Sequence, residues 1–152
     1  MTGPMWQRAL WGVLGLAGLF AVAAVADLVA ALVVLPRLPS PSPDLLDLGE
    51  RLGTAQTVLF YAHAAAAVAW FAYVERGHGA GLRTGPAVAW RLGAAVTVAA
   101  TFALPHTGLI GDGLFTARLE WMVPVLLARL GLVALLVVAA QGVRRRLTQA
   151  AT

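Results

Sequence analysis

Long apolar runs alternate along the chain with short segments rich in Gly, Pro or charge. Four runs stand out, at about 9–35, 54–74, 86–104 and 120–141. They are too long for ordinary core helices. A helix rises 1.5 Å per residue, so about 20 apolar residues cross the ~30 Å hydrocarbon layer of a bilayer. Each run is therefore expected to be a transmembrane helix. Pro36 stops the first run, and the stretch PRLPSPSPD at 36–44 reads as an extended linker, because alternating prolines cannot hold a helix. A short Gly-rich turn is expected at 77–85. Pro86 suits the first turn of the third helix and Pro105 ends it. A longer loop is expected at 108–118, with an interfacial helical turn around 114–121. The first run is longer than the 7–15 residue apolar region of a secretory signal, so it is expected to stay as a span. There is no internal repeat and no second domain. The pattern predicts an all-α integral membrane protein: one membrane domain over 1–152, built as an antiparallel four-transmembrane-helix bundle.

Composition agrees. Of the 152 residues, 60% are hydrophobic and 12% charged, and mean hydropathy is +0.80. A soluble domain carries about 25% charged residues, so a soluble domain and a disordered chain are both excluded. The absence of Cys removes disulfides, thiolate metal sites and thiol redox chemistry. There is no Lys and no Asn, Ile110 is the only Ile, and all 11 basic residues are Arg. That is the mark of a high-GC bacterial gene, and it points to the bacterial inner membrane. The pI near 11.1 is no argument for nucleic acid, and none is expected as a partner. The arginines are dispersed, and the one cluster, Arg144 to Arg146, follows the last run, where it reads as a topology determinant and anionic-lipid contact, with an interaction tail as the alternative.

Orientation follows from the same arginines. With four spans, both termini share a side with the second connection. That side holds Arg8, Arg76, Arg83, Arg91 and Arg144 to Arg146, whereas the other holds Arg37, Arg51 and Arg118 together with Asp44, Asp47, Glu50, Asp112 and Glu120. The positive-inside rule makes both termini cytoplasmic. Trp6, Trp11, Trp70 and Trp90 fall near the inner ends and Trp121 near an outer end, as in an interfacial aromatic belt, although packing roles fit equally. Gly12, Gly15 and Gly18, Ala64 to Ala67, and Ala128 with Gly131 are the small residues that would let helices approach closely. High-GC codon usage supplies the same residues for no structural reason.

Ionisable groups deep in a span are costly and usually face a partner inside the bundle. Asp27 and Arg129 both fall about 12 Å below the outer boundary, His63 about 13 Å and Thr97 about 10 Å, from residue counts and helical rise. All four helices thus place a polar group in one layer. The layer reads as an Asp27–Arg129 ion pair, with His63 as a third member and Thr97 or Thr101 completing its hydrogen bonds. It is either a static pair that fixes helix register or a proton relay or small polar binding site. Outside the layer, His106 and Asp112 in the loop LPHTGLIGDG are possible outer-loop ligands, and a solvated loop is the plain alternative. Gln56 and Tyr61 sit above the layer, where they line an entrance or pack against the loops.

Other chemistry finds little footing. Bis-His haem within one chain needs two histidines at one depth, whereas His63 is deep, His106 lies near the boundary and His78 is on the opposite side. A single-His haem or one shared with a partner stays open. Met1, Met5 and Met122 make no soft copper cluster, and no metal site is expected. Ser40 and Ser42, the only serines, sit in the Pro-rich linker, and no Gly-x-Ser-x-Gly, His-Glu-x-x-His or phosphate-binding loop occurs.

The layout is similar to the membrane domain of the copper-resistance D (CopD-type) group and related small four-helix bacterial membrane proteins. The first span ends in VVLPRLP at 33–39, and Arg51 precedes the second. The third runs into Thr107-Gly108, Trp121 follows, and Arg129 lies within LLARLGLVALLV. The resemblance covers most of the chain with short motifs. This sequence departs from the group in having no His in the first span and no Gly-rich Trp motif there, so the resemblance implies a scaffold and not copper or haem chemistry. The expectation is a non-catalytic accessory subunit of a larger respiratory or transport complex, without a cofactor, in contact with lipid and with other membrane subunits or itself. The alternatives are a stand-alone transporter or proton- or metal-handling protein using Asp27, His63 and Arg129, and a haem-associated membrane oxidoreductase.

Overall fold

The structure is a computed structural model that describes residues 5–34, 42–79, 84–103 and 113–149. It is all-α. Helix α1 covers Met5–Val29 and continues into a π-helical segment at Ala30–Val34; α2 covers Pro43–His78, α3 Gly85–Ala103 and α4 Gly113–Gln149. Among the described residues, the stretches Met5–Val29, Pro43–Gly77 and Val123–Gln149 are each long and apolar enough to cross a membrane. Helix α3 has 19 residues, about 28 Å at helical rise, close to the bilayer core thickness.

Two helices run well past the expected spans. The Pro-rich linker ends sooner than its composition suggests, because Pro43 occupies the first helical position, where its missing N–H costs nothing. Ser42 caps that end by accepting from the Leu45 N–H at 3.4 Å, and Asp44 sits favourably in the first turn. At its other end α2 stops at Gly79, whose φ of 85° only glycine adopts readily and whose N–H reaches the Glu75 carbonyl at 2.9 Å. The loop expected at 108–118 gives way to helix from Gly113, and Arg144 to Arg146 lie within α4 instead of beyond it. Thr84 caps α3: its hydroxyl accepts from the Ala87 N–H at 3.3 Å, and Pro86 falls in the first turn as expected.

The inward face of α1 is Leu10, Val13, Ala17, Phe20, Ala24 and Asp27, a three-four spacing that keeps one seam turned to its neighbours. Helix α1 packs along α2, α3 along α4, and α4 against α1. Trp6 at the start of α1 meets Trp70 late in α2, and Phe20 meets Phe60 farther along. Gly93 of α3 lies against Leu132, and Thr84 against Gly142.

The outside of the molecule is apolar as well. Val22 is 70% exposed, Leu92 64% and Val96 67%, and Leu19, Val58, Val68, Leu127 and Val138 are exposed too. A helix apolar on its outer as well as its inner face fits a hydrocarbon surround and not water.

The small residues sort by face. Ala17, Ala24, Ala64, Ala67, Ala94, Ala139 and Ala140 are buried between helices. Gly12, Gly15, Gly18, Ala128 and Gly131 instead face outward, and a Cβ added to any of the four glycines meets nothing within 4 Å. The expectation that they mediate close approach is corrected: alanine does that work, with Gly93 the one glycine at a tight crossing among the described residues. Trp70 and Trp90 are fully packed, which favours the packing role for them over the interfacial belt. Trp11 is exposed.

Candidate functional site

Arg129 and Asp27 are both buried, at 3% and 6% exposure, and His63 is at 1%. Helix α4 carries Arg129 on the same face as Leu126, Leu136 and Val143, so its register turns the guanidinium inward. There Nη1 donates to Gln56 Oε1 at 3.1 Å, and the guanidinium carbon lies 4.5 Å over the centre of the Phe60 ring. Gln56 and Phe60 are one turn apart on α2, and together they form a dock: an oxygen for the fork and a π face for the charge. Gln56 Nε2 in turn donates to Thr57 Oγ1 at 3.2 Å.

Asp27 comes to this region from α1. It lines an open cleft of about 360 Å³ together with Glu50, Gly53, Thr54, Gln56, Thr57 and Val58 of α2. Gln56 therefore belongs both to the Arg129 dock and to the wall of the Asp27 cleft.

His63, two turns from Gln56 along α2, is enclosed by aromatics. Phe20 stacks on it with ring centroids 5.1 Å apart, and Phe60 meets it at 5.4 Å, edge on. Its Nδ1–H donates to the Leu59 carbonyl at 3.1 Å, since a carbonyl can only accept, which leaves Nε2 as the acceptor nitrogen. Thr97 is half-buried and donates to the Gly93 carbonyl of its own helix at 2.8 Å. The structure thus gathers Asp27, Arg129 and His63 around α2, with Phe60 touching both the guanidinium and the imidazole. This Thr97 bond stays within α3. His106 and Asp112 lie outside the described residues, as does the Thr101 side chain. Tyr61 packs edge-on against Phe60 at 5.6 Å, the packing alternative for that residue.

A second dock sits at the opposite end of α2. Arg91 of α3 binds Glu75 at 2.6 Å, and its guanidinium lies 5.1 Å over Phe71. Phe71 and Glu75 are again four residues apart. Trp70 and Trp90 flank this dock by packing on Phe71, and Trp70 Nε1 donates to the Trp6 carbonyl at 3.0 Å. Sequence reasoning placed Arg91 only as a topology charge. The available signal was an aromatic and an amide or carboxylate acceptor at i, i+4 on α2, occurring twice. No group of three or more His, Cys, Asp or Glu side chains that would hold a metal ion occurs among the described residues.

No protein-family model matches the sequence, and no curated protein or solved structure matches it either.

Proposed function

We propose that the chain is a multi-pass protein of a bacterial inner membrane. Its four helices would cross as an antiparallel bundle with both termini cytoplasmic, and it would serve as a non-catalytic accessory subunit of a larger respiratory or transport complex. The observation that carries this reading is the distribution of side chains. Apolar residues sheathe the outside of all four helices, while the buried Arg129 and the half-buried Arg91 are held by docks on α2. Such docks fix the rotation of α3 and α4 against α2, which suits a scaffold that neighbours pack against. Orientation is supported by the Trp6–Trp70 end of the bundle, where Arg91 and the arginines that follow Gly142 also lie. The test is native mass in mild detergent. Co-purifying polypeptides and a mass far above 15.8 kDa support the subunit reading, whereas a lone monomer or homo-oligomer overturns it.

A second reading, a stand-alone transporter or cation-handling protein, is favoured by one observation. Asp27, a carboxylate deep in the first apolar run, is buried yet borders an open cleft that it shares with Glu50, Thr54 and Thr57.

A further inference from the structure

A groove of about 520 Å³ opens between α1 and α2 on the outside of the bundle, over 5–16 on α1 and 66–73 on α2. Small residues carve it: Ala9 and Gly12 on one wall, Ala66 and Ala69 on the other. A Cβ added at Gly12 meets nothing within 4 Å, so the space over it is empty. The buried Trp70 ring forms part of the floor, pinned by its Nε1 bond to the Trp6 carbonyl. That bond also sets the depth. The groove starts at the Trp6–Trp70 end, which the proposed orientation places on the cytoplasmic side. From Met5 to Leu16 it covers about 16 Å at helical rise, and half of the hydrocarbon layer is about 15 Å. The groove is one leaflet deep.

Depth and charge decide the occupant. A partner's helix crossing the bilayer here would want the groove continued through both leaflets, whereas a single acyl chain needs one. Two exposed arginines flank the cytoplasmic end. Arg8 lies one turn before Gly12 on α1, and Arg76 lies three residues after Tyr73 on α2. Residues three and four apart are neighbours on a helix surface, so both charges border the rim. Neither has an acidic partner among the described residues, and Glu75, the acid beside Arg76, is held by Arg91 at 2.6 Å. Tyr73, itself exposed at the mouth, is a residue of membrane interfaces. An apolar groove with positive charge at one end matches an amphiphile with a single negative head. We infer that the groove binds one acyl chain of an anionic phospholipid of the cytoplasmic leaflet, its headgroup held by Arg8 and Arg76. The inference rests on the membrane placement proposed above and not on the subunit reading.

The full chain in mild detergent tests it. It is titrated with phosphatidylglycerol and with phosphatidylcholine of the same acyl chains, and bound lipids are counted by native mass spectrometry. One phosphatidylglycerol is expected to stay bound at concentrations where phosphatidylcholine does not. Arg8→Gln combined with Arg76→Gln should weaken that binding about thirtyfold, the attraction of two arginines for an anionic headgroup. Gly12→Leu, which fills the groove, should abolish it, whereas Gly15→Leu, outside the groove, should leave it intact. Should Gly12→Leu fail to fold, Ala69→Leu, which narrows the groove from α2, must weaken binding in the same direction. Equal binding of the two lipids, equal effects of Gly12→Leu and Gly15→Leu, or undiminished binding in the double arginine variant overturns the site. A co-purifying polypeptide lost from Gly12→Leu in place of lipid assigns the groove to a partner helix and overturns it too. A lone monomer that retains phosphatidylglycerol removes the subunit reading and leaves the lipid site standing.

Discussion

Arg129 of α4 and Gln56 of α2 meet through a hydrogen bond of 3.1 Å with both residues buried. This contact joins the last helix to the second at the depth where Asp27 enters from the first. A neutral amide is an economical acceptor at such a place. It satisfies part of the guanidinium without adding a second buried charge, whose desolvation can exceed the Coulombic gain.

Removing the acceptor should therefore be costly. Gln56→Ala is expected to destabilise the protein by about 2 kcal/mol, because the buried Arg129 loses a partner while keeping its charge. Replacing both residues by Leu should cost less than the sum of the single changes, with a coupling of about 1 kcal/mol. Equilibrium unfolding of the two single variants and the double variant in detergent measures it. Additive costs would remove the contact from the list of interactions that hold α4.

The aromatic enclosure of His63 makes a contrasting prediction. Phe20 is fully buried and stacks on His63, so Phe20→Ala should cost about 3–5 kcal/mol through the cavity it leaves. His63→Phe keeps the stack and loses only a bond to the carbonyl one turn back, which already has its own helix partner. Its cost should stay below about 1.5 kcal/mol, as for a volume-conserving change. The same unfolding assay compares the two, and equal losses would show that the imidazole does more than fill space.

Gly93 marks where α3 comes closest to α4. A Cβ built there falls 2.7 Å from Leu132 Cδ2, the tip of a flexible side chain. Gly93→Ala should be nearly neutral, because Leu132 can turn aside and alanine gains about 1 kcal/mol of helix propensity. Gly93→Leu should destabilise by about 1–3 kcal/mol through overpacking, and Leu132→Ala in the same chain should restore part of the loss. Gly15→Leu, on the outward face of α1, should cost little. A Gly15 variant as damaging as the Gly93 variant would contradict the assignment of faces.

The helices and the buried charges were readable from the sequence, because both rest on single strong costs. Apolar runs must be helices if they meet lipid, and Asp27, His63 and Arg129 stand out by depth alone. Gln56 was harder. A neutral amide near the edge of an expected span carries no desolvation signal, so it read as lining an entrance or packing against the loops. The outward turn of Gly12, Gly15 and Gly18 was lost for a different reason: counting small residues says nothing of the face they occupy. The spacing of Leu10, Val13, Ala17, Phe20, Ala24 and Asp27 does carry that information. Pro43 was misplaced because proline breaks helices in the interior yet starts them after a cap such as Ser42.

The Glu75–Arg91 pair should behave as a partly buried lock between α2 and α3. Arg91→Ala is expected to cost about 1–3 kcal/mol, since it removes the ion pair with Glu75 and uncovers the Phe71 face. Glu75→Gln, which keeps an acceptor for the guanidinium, should cost less. Unfolding midpoints in low and high salt check it: the pair should change little with ionic strength, because partly buried charges are weakly screened.

The central claim is that the apolar exterior faces lipid. The chain has no Cys, so single cysteines can be placed at Ser42, Val22 and Leu92 and labelled in intact cells with a membrane-impermeant maleimide. Ser42→Cys, in the connection that the proposed orientation places outside, is expected to react from outside. Val22→Cys and Leu92→Cys, exposed on the protein and, on the proposed reading, facing hydrocarbon, are expected to stay unlabelled until the membrane is dissolved and the protein unfolded. Labelling of Val22→Cys and Leu92→Cys at the rate of Ser42→Cys would place the helices in water and contradict the claim.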